Sequence, residues 1–246
     1  MTNTQTTTKA LIVWGGWEGH QPEQVARLFA TELGQRGLAV TVSDTLDILQ
    51  DDALLRTLDV IVPIWTMGTI TSDQLTPLLA AVEGGVGLAG CHGGMCDAFR
   101  DAPAYQFMTG GQWVAHPGND GVTHEVRITD QDHFITAGSH DFSVTTEQYY
   151  MHTDLANHVL ATTRFPVVDG PHVPNGVVDM PVAWTKFYGQ GRVFYCSLGH
   201  HVDIVGQPDV RRLCHRGLLW AARAETLSDE SAERRGSRDE EGETDS

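Results

Sequence analysis

Short apolar runs alternate with amphipathic stretches over the first hundred residues. Residues 10–14 form an unbroken apolar run closed by Gly15 and Gly16, the pattern of a strand buried on both faces. Over residues 22–36, Val25, Leu28, Phe29 and Leu33 recur at helical spacing behind Pro22, which suits a helix's first turn. Residues 39–42 and 58–62 predict a second and a third strand. A helix begins near Thr71, where Thr71 and Gln74 fit a capping box and Leu75, Leu78, Leu79 and Val82 supply a buried stripe. Residues 86–90 predict a fourth strand, whose glycines imply close approach of neighbouring backbone.

From residue 97 to 175 the pattern changes to a short helical stretch and β-like pieces at residues 125–128 and 159–163. These are expected to form an elaboration inserted on the ligand edge of the sheet. Apolar strands resume at residues 181–184 and 192–196, and a last helix runs from about Pro208 to Arg223 with Val210, Leu213, Cys214 and Leu218 inward. Strand–helix alternation of this kind predicts an α/β fold with a mainly parallel central sheet covered on both faces. One domain over residues 9–224 suits a chain of 246 residues, and no internal repeat divides it.

Composition and charge narrow the reading further. The formal net charge of −16 opposes phosphate backbones and anionic membrane surfaces, so neither nucleic acid nor membrane is an expected partner. Residues 225–246 are acidic and nearly free of apolar side chains, which predicts a disordered tail. No apolar run approaches the roughly 20 residues of a membrane helix. The polar N-terminal residues lead straight into a strand without the pattern of a signal peptide. Cys91, Cys96, Cys196 and Cys214 lack zinc-ribbon or disulfide-scaffold spacing, and a cytoplasmic address is expected. A homo-oligomer is left open.

Open α/β sheets bind ligands beyond the carboxyl ends of their strands. There the sequence places His20 after the first strand, His92 after the fourth and His200 after residues 192–196. If those strands are parallel, the three imidazoles converge. Twelve histidines are present, so some follow strands by chance, and a buried histidine often only satisfies a backbone group. His201 is expected to point away. In the elaboration, His116 follows Trp113, and Glu147, Tyr149 and His152 fall in one segment. If that segment is a strand, Glu147 and Tyr149 share one face and His152 takes the other. A carboxylate beside histidines can act as a general base or hold a divalent metal such as zinc. Trp14, Trp17, Trp65 and Trp113 can offer flat faces to sugar rings, and core packing accounts for them equally well. No phosphate loop and no strand-linked G-x-G-x-x-G occurs, so no nucleotide cofactor is expected.

Residues 90–94 (GCHGG) have the glycine framing of a nucleophile elbow. His92 holds the central position. Cys91 would take it only if the frame slipped by one residue, and a cysteine–histidine amidotransferase chemistry is carried as an alternative.

Residues 90–99, the run GGQWVAHP at 110–117, EQYY at 147–150 and GRVFYCSLGH at 191–200 together resemble the signature of the ThuA-like (trehalose utilisation) family. The resemblance implies a flavodoxin-like fold similar to class I glutamine amidotransferases. It also implies a role with trehalose or related disaccharides, and a suggested conversion of a keto-sugar by proton transfer or hydrolysis. By resemblance, His92, His116, Glu147 and His200 are the site. His92, His200 and Glu147 are then the expected catalytic groups, with His20, Trp17, Trp113, His116, Tyr149 and His152 binding substrate. A non-catalytic sugar-binding or regulatory protein is the alternative from another class.

Overall fold

The structure, a computed structural model, describes residues 7–227. Strand β1 (Lys9–Gly16) is buried from Ala10 to Val13 because it lies between parallel neighbours β2 (Ala39–Ser43) and β3 (Val60–Thr66). Its side chains alternate between two cores. Ala10 and Ile12 meet Phe29 and Leu33 on one face, and Leu11 and Val13 meet Leu55 and Leu78 on the other. Helices Pro22–Gln35 and Pro208–Ala221 cover the first face, and Ser72–Glu83 and Pro103–Thr109 the second.

Strands β4 (Gly87–Cys91), β5 (Gly111–Ala115), β6 (Val122–Ile128), β7 (Phe142–Thr146), β8 (Tyr150–Thr153), β9 (His158–Phe165), β10 (Val178–Tyr188) and β11 (Gly191–Cys196) complete the set. The main sheet has nine strands in the order β2-β1-β3-β4-β11-β10-β9-β6-β7. Its first five are parallel, in a flavodoxin-like order with β11 as the fifth strand. The α/β expectation therefore holds, and a ligand edge exists where β1, β3, β4 and β11 all end.

Several local expectations hold as well. Thr71 and Gln74 form the capping box of helix Ser72–Glu83, with reciprocal bonds of 3.3 and 3.0 Å. A Cβ on Gly87 would lie 2.2 Å from the Ala221 carbonyl oxygen, so that strand does approach neighbouring backbone closely. The third strand runs on to Thr66, past the expected end at residue 62. Pro63 is tolerated there because the β3–β4 ladder consists only of Val60↔Gly87 and Ile61↔Leu88 and has ended before it.

The elaboration differs from its expected form. Strands β6, β7 and β9 extend the main sheet in antiparallel fashion through β10, and only the two-stranded β5–β8 ribbon stands apart. Antiparallel neighbours need no crossover helix, so loops connect these strands. Glu225–Leu227, the start of the expected tail, form a 3₁₀ turn in which Glu225 pairs with Arg192. Residues 228–246 lie outside the described residues.

Candidate functional site

Four segments deliver the site from the ends of β1, β3, β4 and β11. Gly16, at φ 79°, lets the chain cross over β3 where a Cβ would sit 2.1 Å from the Thr66 carbonyl oxygen. The 3₁₀ turn Glu18–His20 then buries His20, whose Nδ1 lies 2.8 Å from Thr66 Oγ1. Beyond β4, His92 occupies the turn into the short helix Gly93–Cys96 with φ 50° and ψ −146°. Beyond β11, Gly199 at φ 126° leads to buried His200.

Glu147 and Tyr149 arrive from the elaboration. The chain leaves the main sheet at Thr146 and enters the ribbon at Tyr150, so residues 147–149 belong to neither ladder. That irregular link lets both side chains reach the cluster, and both are buried. Glu147 Oε2 lies 3.3 Å from His92 Nε2 and 3.2 Å from His200 Nδ1. Glu147 Oε1 lies 3.7 Å from Nε2 of His116, a side chain 28% exposed at the mouth. Tyr149 Oη lies 3.0 Å from His92 Nδ1, and the two rings are 4.0 Å apart.

Burial removes the charge from His20 and His92. It pushes His20 down to about 3, helped by the neighbouring His92 and His200. It pushes His92 down to about 4 although Glu147 pulls the other way. Burial also works against ionisation of Glu147, but the two imidazoles at its Oε2 prevail and hold the carboxyl below the usual carboxylate range. At neutral pH Glu147 is a carboxylate close to neutral His20 and His92. Yet His92 Nε2, His200 Nδ1 and Glu147 Oε2 have no aligned hydrogen-bond partner, nor does His116 Nδ1. His20, His92, Glu147 and His200 each offer one donor atom, all within 4.8 Å of one another, and Asp120 and His201 make a second such grouping with His200.

The remaining expected residues fall at different distances from this centre. Trp17 is 46% exposed and meets the His20 ring edge-on at 4.7 Å. Trp113 lies 5.3 Å from His116 and 6.0 Å from Tyr149, with the Arg100 guanidinium 4.9 Å over its ring. His152 is solvent-exposed on β8, one residue from buried Met151, and the structure leaves it outside the group. His201, expected to point away, lies against His200 with ring centres 3.9 Å apart and planes tilted by 49°. Cys91 is the last residue of β4, buried opposite Cys196. The slipped frame that would make it a nucleophile is not the one the chain adopts.

Three contributors went unread in the sequence. Thr66 holds His20, and only its place at a strand end signals it. Tyr195 donates its hydroxyl to the His92 carbonyl oxygen at 3.1 Å. Buried Asp97 pairs twice with Arg100, at 2.6 and 2.9 Å, and so braces the cation over Trp113. Burial raises the Asp97 carboxyl against the pull of Arg100.

Residues 9–221 match the family model ThuA, described as trehalose utilisation. The chain belongs to the ThuA family. Solved structures of similar fold include a putative ThuA-like protein from Bacteroides uniformis, with 18% identity, a TM-score of 0.69, and coverage of 89% of this chain and 94% of that one. A putative ThuA-like protein from Parabacteroides merdae has 17% identity and a TM-score of 0.68, covering 88% and 90%. A cytoplasmic protein from Salmonella typhimurium LT2 has 15% identity and a TM-score of 0.58, covering 90% and 100%. At these identities the likeness speaks for the fold alone. No curated protein matches the chain. Among the described residues of this ThuA-family protein, no helix is long and apolar enough to cross a membrane.

Proposed function

We propose that this ThuA-family protein converts a small carbohydrate, a sugar or keto-sugar related to trehalose-type disaccharides, by acid–base or metal-assisted proton transfer. The observation that carries the reading is the ionised Glu147 held between two buried imidazoles, with a third, His116, open to solvent beside its free oxygen. His116 is placed to exchange protons between the buried group and solvent, while His92 and His200 face the reacting oxygen atoms. Trp113 and Trp17 flank the mouth and offer apolar faces to a pyranose ring. A cytoplasmic setting belongs to the same reading, in keeping with four free, buried cysteines.

The test needs no knowledge of the net reaction. Wild-type protein is incubated in deuterated water with disaccharides and their keto derivatives, and the C–H next to the carbonyl is followed by NMR. Exchange or product formation that falls at least tenfold in His116→Gln supports the proposal. Ligand-induced thermal stabilisation with neither exchange nor product would instead establish the non-catalytic binding protein.

A further inference from the structure

The donor geometry at the ligand edge points to a divalent transition-metal centre held by His20, His92, Glu147 and His200. A metal bound through nitrogen and oxygen at about 2.0–2.1 Å sets neighbouring donors about 3.0–3.4 Å apart in octahedral or tetrahedral geometry. The two donor pairs that share Glu147 Oε2 measure 3.3 and 3.2 Å. Neither is an aligned hydrogen bond, so three buried polar atoms lie within one cluster with no partner for any of them. Leaving such atoms unpartnered is costly, and a shared cation satisfies all three together.

The surroundings have the form that metal-ligating histidines require. Each ligand ring is normally fixed by a hydrogen bond at its other nitrogen. His20 has Nδ1 engaged by Thr66 Oγ1, which leaves Nε2 as its donor. His92 has Nδ1 engaged by Tyr149 Oη, which leaves the unpartnered Nε2 facing Glu147. Three imidazoles and one carboxylate suit zinc, manganese or iron, and exclude a hard oxygen-only cation such as calcium. Four protein donors leave room in an expanded shell for sugar oxygens, a hydroxyl with an adjacent carbonyl or hydroxyl. In that arrangement His116, outside the donor set, remains free to move a proton.

The inference rests on this cluster being the working centre, but its test uses metal alone and so stands or falls apart from sugar turnover. Untagged, chelator-stripped protein is titrated with zinc and with manganese by calorimetry, and with cobalt by visible absorption. Wild type is expected to take up one ion per chain with at least micromolar affinity, and to melt higher when loaded. Glu147→Gln, which preserves shape, is expected to lose at least a hundredfold in affinity, His200→Ala likewise, and Tyr149→Phe about tenfold to a hundredfold. His152→Ala serves as a control that binds as wild type does. Stripped wild type that takes up no ion near stoichiometry overturns the inference. So does uptake that Glu147→Gln leaves unchanged, which would place the ion elsewhere.

Discussion

Gly93→Ala tests whether His20 belongs to the centre without touching any proposed ligand. Gly93 opens the helix Gly93–Cys96, and its φ lies outside the left-handed region, so alanine meets no backbone penalty. The added Cβ would stand 2.6 Å from His20 Cε1, 2.7 Å from His20 Nδ1 and 3.0 Å from Thr66 Cγ2. The imidazole must swing away and release Thr66. Overpacking of this kind costs about 1–3 kcal/mol, which for a chain of this size lowers the melting temperature by roughly 2–4 °C per kcal/mol. Loss of one ligand is expected to weaken zinc binding by at least about a hundredfold, more than loss of an outer-shell partner, as read by competition with a chelating dye. Gly94→Ala is the matched comparison. Its Cβ would meet Ile64 Cα at 3.0 Å, away from the histidines, so it should lower stability and spare affinity. Wild-type affinity in Gly93→Ala would remove His20 from the centre. Equal losses in the two variants would trace the effect to distortion of the helix.

Tyr149→Phe deprives buried His92 Nδ1 of its partner, and an unsatisfied group of that kind costs about 1–3 kcal/mol; chemical denaturation with unchanged slope should show it, and unaltered stability would mean that Nδ1 is satisfied otherwise. Cys91→Ala is expected to leave carbohydrate turnover within about twofold, because Cys91 is buried in β4 and His92 holds the turn; abolished activity in a folded variant would restore cysteine chemistry. Burial, reinforced by Arg36, Arg211 and Arg216, pushes His215 from 6.5 down to about 4. Between those values the unfolded chain binds a proton that the native chain refuses, so the contribution is complete above pH 6.5 and lost as pH falls toward 4. At 1.36 kcal/mol per pH unit this amounts to about 3 kcal/mol. Urea titrations of wild type and His215→Gln at pH 7 and pH 4.5 should converge in their acid loss only if His215 titrates elsewhere.

The parallel half of the fold was legible because its inner strands are buried on both faces. Residues 10–14, 86–90 and 193–196 read as apolar runs, and their ends marked His20, His92 and His200. Thr66 escaped because the apolar pattern put the end of the third strand at residue 62, whereas β3 runs on to Thr66 after its ladder with β4 has ended. In the antiparallel half, strands such as β7 bury just alternate residues, a signal too weak over five positions to fix boundaries. Glu147 stood out as a carboxylate near histidines, and the family resemblance carried it into the expected site. A strand reading put Glu147 and His152 on opposite faces. The structure does bury one and expose the other, yet by a break between ladders and not by alternation.

The His92 turn links fold to chemistry most directly. A non-glycine residue at φ 50° and ψ −146° sits where side chains other than glycine cost on the order of 1–3 kcal/mol. Such a conformation persists only if its surroundings over-determine it. Here the backbone N–H of His92 donates to the Cys196 carbonyl at 2.7 Å, and its carbonyl accepts from the Tyr195 hydroxyl at 3.1 Å and the Cys96 N–H at 3.2 Å. Its side chain is fixed in turn by Tyr149. Packing alone would not require that arrangement, since a glycine would relax the turn at no steric cost. What the strain secures is direction: the imidazole leaves β4 toward Glu147 and His200, not into the sheet. A fold of this kind often presents a nucleophile from such a turn. In this chain the same backbone device aims a neutral nitrogen donor at Glu147, the direction that the proposed coordination and proton transfer require in place of covalent attack.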